Sequence, residues 1–523
     1  MYKSNKLLCV FFIILISNGI SLAQWSSNID EPISIGLGIQ PQLVSSSDGS
    51  LYIAWLTDGD YQVRLQKFDR YGNPIFEEGG LVISNNLNSS WIAVYHLNIA
   101  IDGDNNAIIS TVDQRSGNWE VYLYKVDGEG NMIWGDDGIA ISNSGTDNIS
   151  PRLSVLNDNS IAVAWSQNYD SVRMQVINPD GETLWPEDIF IQGNSSTLAS
   201  PIPLASPDGN LLVQWISQTG PVWASNSEIF IQKFNLQGDS VWDQASLIVG
   251  PVIFPMGNWE QKVIVNNSDN IFSAWTQIAG NVQSALTQQI NFNGEMVWDN
   301  PILFSLNTNH FRISPVIKYI EDSSFLLATW KETNNSQAER GVVAQCLDSN
   351  GSRLWGDNGI EVVPLNNSYD YLDISLDIIN WNVFISYIEQ DPTMNANIYV
   401  SKVDQYGNHE WETSVQITNT NNSKSDMNTI VGPGCVFIVW TEDDSVLAHC
   451  IREDGTLGSP IDVDLNNLVY DINNDGELSV VDVIYLSTNI LAESEFYSGF
   501  DYNFDLNMDI FDILLLSDYI ENL

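Results

Sequence analysis

Cysteine and histidine are scarce in this sequence, with four residues of each in 523. Cys9 lies in an apolar run near the N-terminus, and the other three cysteines are too few for a disulfide framework. The four histidines show no metal-ligand spacing, so the pattern does not indicate a histidine-based zinc centre. The sequence also lacks Gly-x-Ser-x-Gly and His-Glu-x-x-His elements, which removes the signatures of α/β-hydrolases and zincins.

Positive charge is equally sparse, because 19 Lys and Arg face 66 Asp and Glu and give a net charge of −47 at pH 7. Such a surface repels nucleic acid and anionic membranes and attracts divalent cations. No apolar run is long enough to span a bilayer. We therefore expect neither a nucleic-acid partner nor membrane insertion.

The N-terminus has the composition of a secretory signal peptide. A basic start is followed by an apolar run over residues 7–16 and by small residues before Gln24. We expect residues 1–23 to be removed on export. The protein is then secreted or extracellular.

A repeat of about 55 residues fills most of the chain. In each unit a strand-like run is followed by a second strand, a Gly-x-x-x-Trp turn and a short apolar strand, and turn residues join one more strand upstream. The first run ends in an aromatic residue at Trp55, Trp165, Trp215, Trp275, Trp330, Tyr387 and Trp440, with Thr111 in the gap after Trp55. Four short strands without a helical period are typical of a β-propeller blade, whereas a sandwich needs about 100 residues per unit.

The sequence therefore predicts a mainly β protein, with a β-propeller over residues 24–465. We count eight units, and seven is the alternative if one weak unit merges with its neighbours. The eighth unit has Ser459 where the others have Trp or Phe76. Residues 31–36 resemble a stray closing strand that would complete this last unit.

The tryptophans at repeated positions are expected to pack between sheets, because a propeller needs bulky residues there. Tryptophans outside the repeat register are the better candidates for ligand contacts: Trp91, Trp119, Trp223, Trp259 and Trp381. The Gly-x-x-x-Trp element loosely resembles the Asp-box of sialidase-like propellers. The repeat is more similar to propeller-like repeats of large exported bacterial proteins, which implies a fold but no chemistry.

Two acidic twelve-residue segments follow the repeats, each succeeded by an apolar helical pattern. Oxygen-bearing residues occupy positions 1, 3, 5, 7, 9 and 12, as a calcium loop requires, and position 7 ligates through its carbonyl. The first segment supplies Asp471, Asn473, Asp475, Glu477, Ser479 and Asp482, and the second supplies Asp501, Asn503, Asp505, Asn507, Asp509 and Asp512. We predict two Ca²⁺ sites, of which the first is better formed, because the second has Leu506 where the first has Gly476.

Two loop–helix halves with Asp at position 12 resemble a type I dockerin, over residues 469–523. The resemblance implies a cohesin-like partner module and a setting of polysaccharide breakdown. The expected core residues are Val483, Ile484, Leu486, Ile490, Leu491, Ile513, Leu514, Leu516 and Ile520. The positions expected to face a cohesin are Val480, Val481, Ser487, Thr488, Ile510, Phe511, Ser517 and Asp518.

No catalytic residues can be chosen from the sequence. His449 aligns with a glutamine repeated in other units, so we expect it to fill a structural position. Paired carboxylates for glycoside hydrolysis stay open among 66 acids. Cys435 and Cys450 fall on strands expected to pair, as a disulfide or as two buried thiols.

Three functions are compatible with these patterns. The first is a binding or adhesion propeller, with polysaccharide or a surface glycan as its ligand, tethered by the dockerin-like module. The second is a polysaccharide-degrading enzyme, an O-glycosyl hydrolase or a lyase, with its active site in the central funnel. The third is a structural component of the cell surface. The missing catalytic signatures favour a protein that is not an enzyme.

Overall fold

The computed structural model describes residues 25–86, 88–168, 170–193, 195–221, 225–253, 261–268, 270–280 and 282–459, helix Val480–Leu491, and residues 513, 514, 516 and 517. The signal peptide and the predicted calcium ligands lie outside the described residues, except that Asp482 is described as helical. No helix in the described part of the chain combines the length and apolar character needed to cross a membrane.

The described strands form eight groups of four antiparallel strands. Runs rich in Val, Ile and aromatic residues form the second strands, which are buried on both faces in the first, third and eighth groups. The first four groups are β2 (Ile39–Ser45), β3 (Leu51–Leu56), β4 (Val63–Phe68) and β5 (Leu81–Ser84); β6 (Asn98–Ile101), β7 (Ala107–Asp113), β8 (Glu120–Val126) and β9 (Ile139–Ala140); β10 (Asn148–Val155), β11 (Ile161–Gln167), β12 (Ser171–Ile177) and β13 (Ile189–Gln192); and β14 (Thr197–Ala205), β15 (Leu211–Thr219), β16 (Asn226–Phe234) and β17 (Ser246–Ile253).

The remaining groups complete the mainly β architecture. They are β18 (Lys262–Val265), β19 (Ile271–Ala279), β20 (Val282–Ile290) and β21 (Ile302–Leu303); β22 (His310–Ile320), β23 (Phe325–Asn334), β24 (Arg340–Leu347) and β25 (Ile360–Asn366); β26 (Asp370–Ile379), β27 (Asn382–Gln390), β28 (Ala396–Val403) and β29 (Val415–Gln416); and β30 (Lys424–Gly432), β31 (Cys435–Glu442), β32 (Ser445–Arg452) and β1 (Ile33–Leu37). Helix α1 (Ile92–Tyr95) precedes β6, and α2 (Val480–Leu491) lies near the C-terminus. A single pair, Ile253 with Ile278, joins the fourth and fifth groups into one sheet.

The first strands of consecutive groups pack side by side in a closed ring, from β2 through β6, β10, β14, β18, β22, β26 and β30 back to β2. They therefore surround a central channel, as in a β-propeller. The ring closes through β1, whose Ile33 pairs with Ala448 of β32. The expectation that residues 31–36 supply a closing strand is confirmed.

The tryptophans in repeat register are packing residues, as predicted. Trp55, Trp165, Trp330 and Trp440 are fully buried in the second strands. The tryptophans of the Gly-x-x-x-Trp elements fill the seams, meaning the boundaries between consecutive units, and five of their indoles donate to a carbonyl in the next unit's turn. The pairs are Trp134 with Pro179 (3.3 Å), Trp185 with Leu236 (2.9 Å), Trp242 with Phe292 (3.1 Å), Trp298 with Ser349 (3.4 Å) and Trp355 with Gln405 (3.1 Å).

The eighth seam, between the last unit and the first, is filled by Trp25 from the N-terminus. Its ring lies 4.9 Å from that of Phe437 and 5.8 Å from that of Phe68, and only 2% of the residue is exposed. The Trp25 backbone N–H and the Ser459 hydroxyl both donate to the carbonyl of Tyr71. Trp25 thus supplies the aromatic ring that the eighth unit lacks.

The tryptophans outside the repeat register divide into two kinds. Trp91 is 58% exposed and Trp381 is half-buried, whereas Trp119 is buried. Trp119 was therefore wrongly chosen as a candidate for ligand contacts, because it is buried and Tyr95 covers its ring edge-on at 5.3 Å. Trp223 and Trp259 lie outside the described residues.

The described C-terminal residues correct part of the predicted core. Leu486 and Leu516 are fully buried, but Ile484 and Leu514 are 59% and 57% exposed. Each exposed residue precedes its buried leucine by two positions, which is about 200° around a helix and therefore the opposite face. Ile484 and Leu514 are surface residues.

The cysteines of the last unit are reduced. Cys435 pairs with Arg452 and Cys450 with Phe437, so the two are diagonal neighbours across the hairpin. Both are free and buried, which matches the alternative of two buried thiols.

Candidate functional site

Six of the eight first strands carry a β-bulge near their start, at the same register relative to the aromatic residue of the second strand. In the second unit the equivalent register position is His96, which lies between α1 and β6 and not in a bulge. The residue at this position is polar in all seven units where it is described: Gln40, His96, Ser150, Ser200, Ser314, Asp373 and Asp426. Six of the seven, all but Asp373, have φ between 52° and 55°. A left-handed conformation at a residue with a β-carbon costs about 1–2 kcal/mol. Such backbone strain clusters at ligand sites.

Five of these seven positions open onto a cavity of about 580 Å³ at one end of the channel, which we call the mouth. It is lined by the polar residues at these positions and by two lysines: Gln40, His96, Ser314, Asp373, Asp426, Lys262 and Lys331. Carboxylate, amide, hydroxyl, imidazole and ammonium groups therefore converge on one space. The volume is in the range of a small-ligand site.

Hydrogen bonds between neighbouring units hold the mouth in place. The Met427 N–H donates to Asp373 Oδ2 at 3.0 Å, and Lys331 Nζ donates to the Leu372 carbonyl at 2.8 Å. Gln40 Nε2 donates to the Ala93 carbonyl of α1 at 2.9 Å. The polar groups are thus positioned before any ligand binds.

An exposed aromatic ring stands beside the mouth. Trp91 immediately precedes α1, and His96, which lines the cavity, immediately follows it. The Trp91 ring stacks on Tyr95 at 6.3 Å and 23°, and Tyr95 rests on buried Trp119. Because five residues of helix rise about 7.5 Å, Trp91 lies within reach of a ligand in the mouth.

The centre of the ring is far less acidic than the chain as a whole. The eight first strands carry five Lys or Arg and four Asp, against 19 and 66 in the whole sequence. Below the mouth, burial raises the pKa of Asp377, although Lys318 and a hydrogen bond from Thr429 oppose the shift. The channel is balanced in charge and suits an uncharged polar ligand.

His449 occupies the structural position predicted for it. It pairs with Ile438 as the repeated Gln66 pairs with Ile53 and Gln175 with Val163. Those glutamines bind the backbone of the Gly-x-x-x-Trp turn, as in the contacts of Gln175 with Trp185. Burial lowers the pKa of His449 to about 4, although a backbone hydrogen bond at Ile29 acts in the opposite direction.

Sequence reasoning missed the bulge residues, although a signal was present. Pro41, Pro151, Pro201 and Pro315 each follow a polar residue and stand 14 or 15 positions before the aromatic residue of the repeat. The predicted calcium ligands, by contrast, fall on segments without described side chains. In the described part of the chain, no three His, Cys, Asp or Glu side chains group to hold a metal ion.

No protein-family model and no curated protein matches the sequence. Among solved structures, the Dos1 propeller aligns with a TM-score of 0.45 at 10% identity, covering 81% of this chain and 96% of that chain. Polysaccharide lyase Uly1 aligns with a TM-score of 0.38 at 10% identity, covering 80% of this chain and 90% of that one. An α-L-arabinanase of Penicillium chrysogenum complexed with arabinobiose gives 0.33 at 12% identity, covering 59% and 94%. Such similarities carry no activity to this chain.

Proposed function

We propose that this protein is a secreted saccharide-binding protein whose ligand occupies the mouth of an eight-bladed propeller. The observation that carries the proposal is the mouth itself, in which a cavity of about 580 Å³ combines convergent polar groups with a neighbouring exposed tryptophan. A sugar ring presents an apolar C–H face to an aromatic ring and hydroxyl groups to carboxylates and amides. Trp91 matches the first need, and Gln40, Asp373 and Asp426 match the second.

The eight groups of four strands favour eight blades over seven. The closing strand β1 supports the same count, since it gives the last group its fourth strand. A ring of this size leaves a channel wide enough to hold a ligand at one end.

The C-terminal module is proposed to tether the propeller to a cohesin-like partner through two calcium loops. The acidic loop pattern at residues 471–482 and 501–512 supports this, together with the helix Val480–Leu491 that begins where the first loop ends. Calcium binding would stabilise a module of this size, because binding free energy is folding free energy. A role in polysaccharide utilisation is part of the proposal because the dockerin resemblance, which implies the cohesin-like partner, also implies that setting.

A second candidate function is hydrolysis or lysis of a polysaccharide at the same mouth. It is favoured by the presence of two carboxylates, Asp373 and Asp426, in one cavity with His96 and Lys331. Glycoside hydrolysis uses a pair of carboxyl groups that flank the scissile bond.

A glycan array with the full-length protein, followed by calorimetry and a reducing-sugar assay, tests the proposal. We expect binding without sugar release, and binding at least about tenfold weaker in Trp91→Ala, a loss of about 1.4 kcal/mol. Tyr406→Ala is the control, since Tyr406 is 72% exposed outside the mouth. Sugar release that disappears in Asp373→Asn or Asp426→Asn would establish the second candidate, and neither binding nor release would favour a structural component.

The tether is tested by affinity capture from the native secretome with and without a calcium chelator. A partner captured only with calcium is the expected result. Capture of the same partner with and without the chelator would contradict the calcium-dependent tether. It would not bear on the proposal that the mouth binds a saccharide.

A further inference from the structure

A second cavity lies at the opposite end of the strands, at the seam between the fourth and fifth units. Its volume is about 560 Å³, close to that of the mouth. The turn after β14, the turn of β16–β17 and the turn after β20 line it, whereas the mouth is formed where the first strands begin. In an antiparallel unit these turns lie at the far end of the ladder, so the two cavities open on opposite faces of the ring.

An exposed phenylalanine distinguishes this seam from the other seven. Phe292 is 57% exposed. It follows the Asx residue that opens the turn after the third strand, and the same position in the other units carries Arg70, Gly128, Pro179, Leu236, Ser349, Gln405 and Glu453. An aromatic ring occurs at this position in one unit of eight.

Hydrogen bonds fix the backbone of the turn that carries Phe292. Its carbonyl accepts the Trp242 indole N–H at 3.1 Å, and the Asn291 side chain accepts the N–H groups of Asn293 and Glu295 at 3.0 Å each. Ser246 donates to the neighbouring Gly294 carbonyl at 2.6 Å. The ring is therefore displayed on a rigid turn, at little entropic cost of ordering on binding.

Polar groups line the same cavity as Phe292. Lys233 Nζ contacts Asp208 Oδ2 at 2.6 Å, and the lysine side chain is 2% exposed whereas the aspartate is 40% exposed. Burial alone would raise the pKa of Asp208, but hydrogen bonds from Lys233 and Asn210 lower it to about 2. Asp208 is thus an ionised acceptor whose charge is neutralised, and exposed Asn293 and Gln244 add amides.

We propose that this seam is a second saccharide-binding site, which takes neutral sugar units by stacking them on Phe292. Hydroxyl groups then bind the Asp208 carboxylate and the amides of Asn293 and Gln244. An anionic ligand is disfavoured by exposed Asp243, and a purely apolar ligand would leave these polar groups desolvated without partners. The site does not depend on ligand binding at the mouth, and two sites on opposite faces would let one molecule bridge two chains of a polysaccharide.

The test uses full-length protein and a panel of neutral gluco-, xylo-, manno- and arabino-oligosaccharides, with calorimetry in the Trp91→Ala background, in which binding at the mouth is expected to be at least about tenfold weaker. Phe292→Ala is expected to weaken the remaining binding at least about tenfold, a loss of about 1.4 kcal/mol. Phe292→Tyr is expected to retain it within about threefold, because the aromatic face is kept. Tyr406→Ala, an exposed aromatic residue on the equivalent turn of the seventh unit, should change nothing.

The proposal is overturned if no oligosaccharide binds in the Trp91→Ala background, or if Phe292→Leu binds as well as the parent. Binding of tetramethylammonium in place of every oligosaccharide would assign a cation–π site instead. If Trp91→Ala leaves binding intact and Phe292→Ala abolishes it, the seam stands and the mouth proposal fails. If instead Trp91→Ala abolishes binding and Phe292→Ala leaves it intact, the seam proposal is rejected and the mouth proposal stands.

Discussion

Replacing Trp25 with alanine should open the ring at the seam between the eighth and first units. Trp25 is 2% exposed and packs on Phe68 and Phe437. A buried Trp→Ala change costs about 3–5 kcal/mol, and a loss of 3 kcal/mol raises the population of an open state by roughly a hundredfold. The open state should release β1 from β32, since Trp25 lies eight residues before that strand.

Hydrogen exchange of the β1 amides measures this opening directly. We expect exchange at Ile33 and Ser34 to speed by about a hundredfold in Trp25→Ala, while amides of other units change little. Trp25→Phe should lose much less stability than Trp25→Ala, because the phenyl ring still packs in the seam and the indole N–H has no hydrogen-bond partner among the described residues. Trp91→Ala, at an exposed tryptophan, is the matched control. If β1 exchanges at the parent rate in Trp25→Ala, Trp25 does not fasten the ring.

Three further predictions concern individual units and loops. His449 stays neutral in the folded state down to a pKa of about 4, whereas the unfolded chain protonates it near 6.5. Stability should therefore fall by up to about 3 kcal/mol as pH drops from 6.5 to 4, and denaturant titrations should show a shallower fall in His449→Gln. A β-carbon on Gly407 would lie 2.9 Å from the Trp355 ring, but one on Gly135, with a similar φ, meets nothing within 4 Å. Gly407→Ala should thus lower the unfolding midpoint more than Gly135→Ala. Equal effects would mean that backbone strain, and not the clash with Trp355, destabilises both variants. Leu506→Gly should tighten the weaker calcium site by relieving about 1–2 kcal/mol of strain, and an unchanged calcium titration would reject that argument.

The repeat was readable from the sequence because it rests on local patterns. Runs of alternating residues and turn residues at fixed spacing specify four strands per unit, and all eight second strands contain the aromatic position or its Thr111 substitute. The packing role of the repeated tryptophans could be predicted from this pattern, since a propeller needs a large ring at a fixed register between its sheets. His449 could be placed in the same way, by its alignment with glutamines whose side chains bind the turn.

The mouth was harder to foresee, because its residues are far apart in sequence. Gln40 and Asp426 meet only where the ring closes, and Asn428 Nδ2 then donates to the Pro41 carbonyl at 2.9 Å. Their polarity alone does not separate them from the many polar residues of an acidic surface. The same limit applies to Trp91 and Trp119, whose different exposure depends on α1 and not on their local sequence.

By itself, the sequence determined the strand pattern, the packing role of the repeated tryptophans and the acidic loops that predict calcium binding, since each depends on residues close together in the chain. The tertiary structure decided which side chains converge: the polar bulges at the mouth, Phe292 at the seam, and Trp25 in place of the missing eighth tryptophan. The physical reason is the ring, which brings residues from opposite ends of the chain together through contacts that no local spacing encodes.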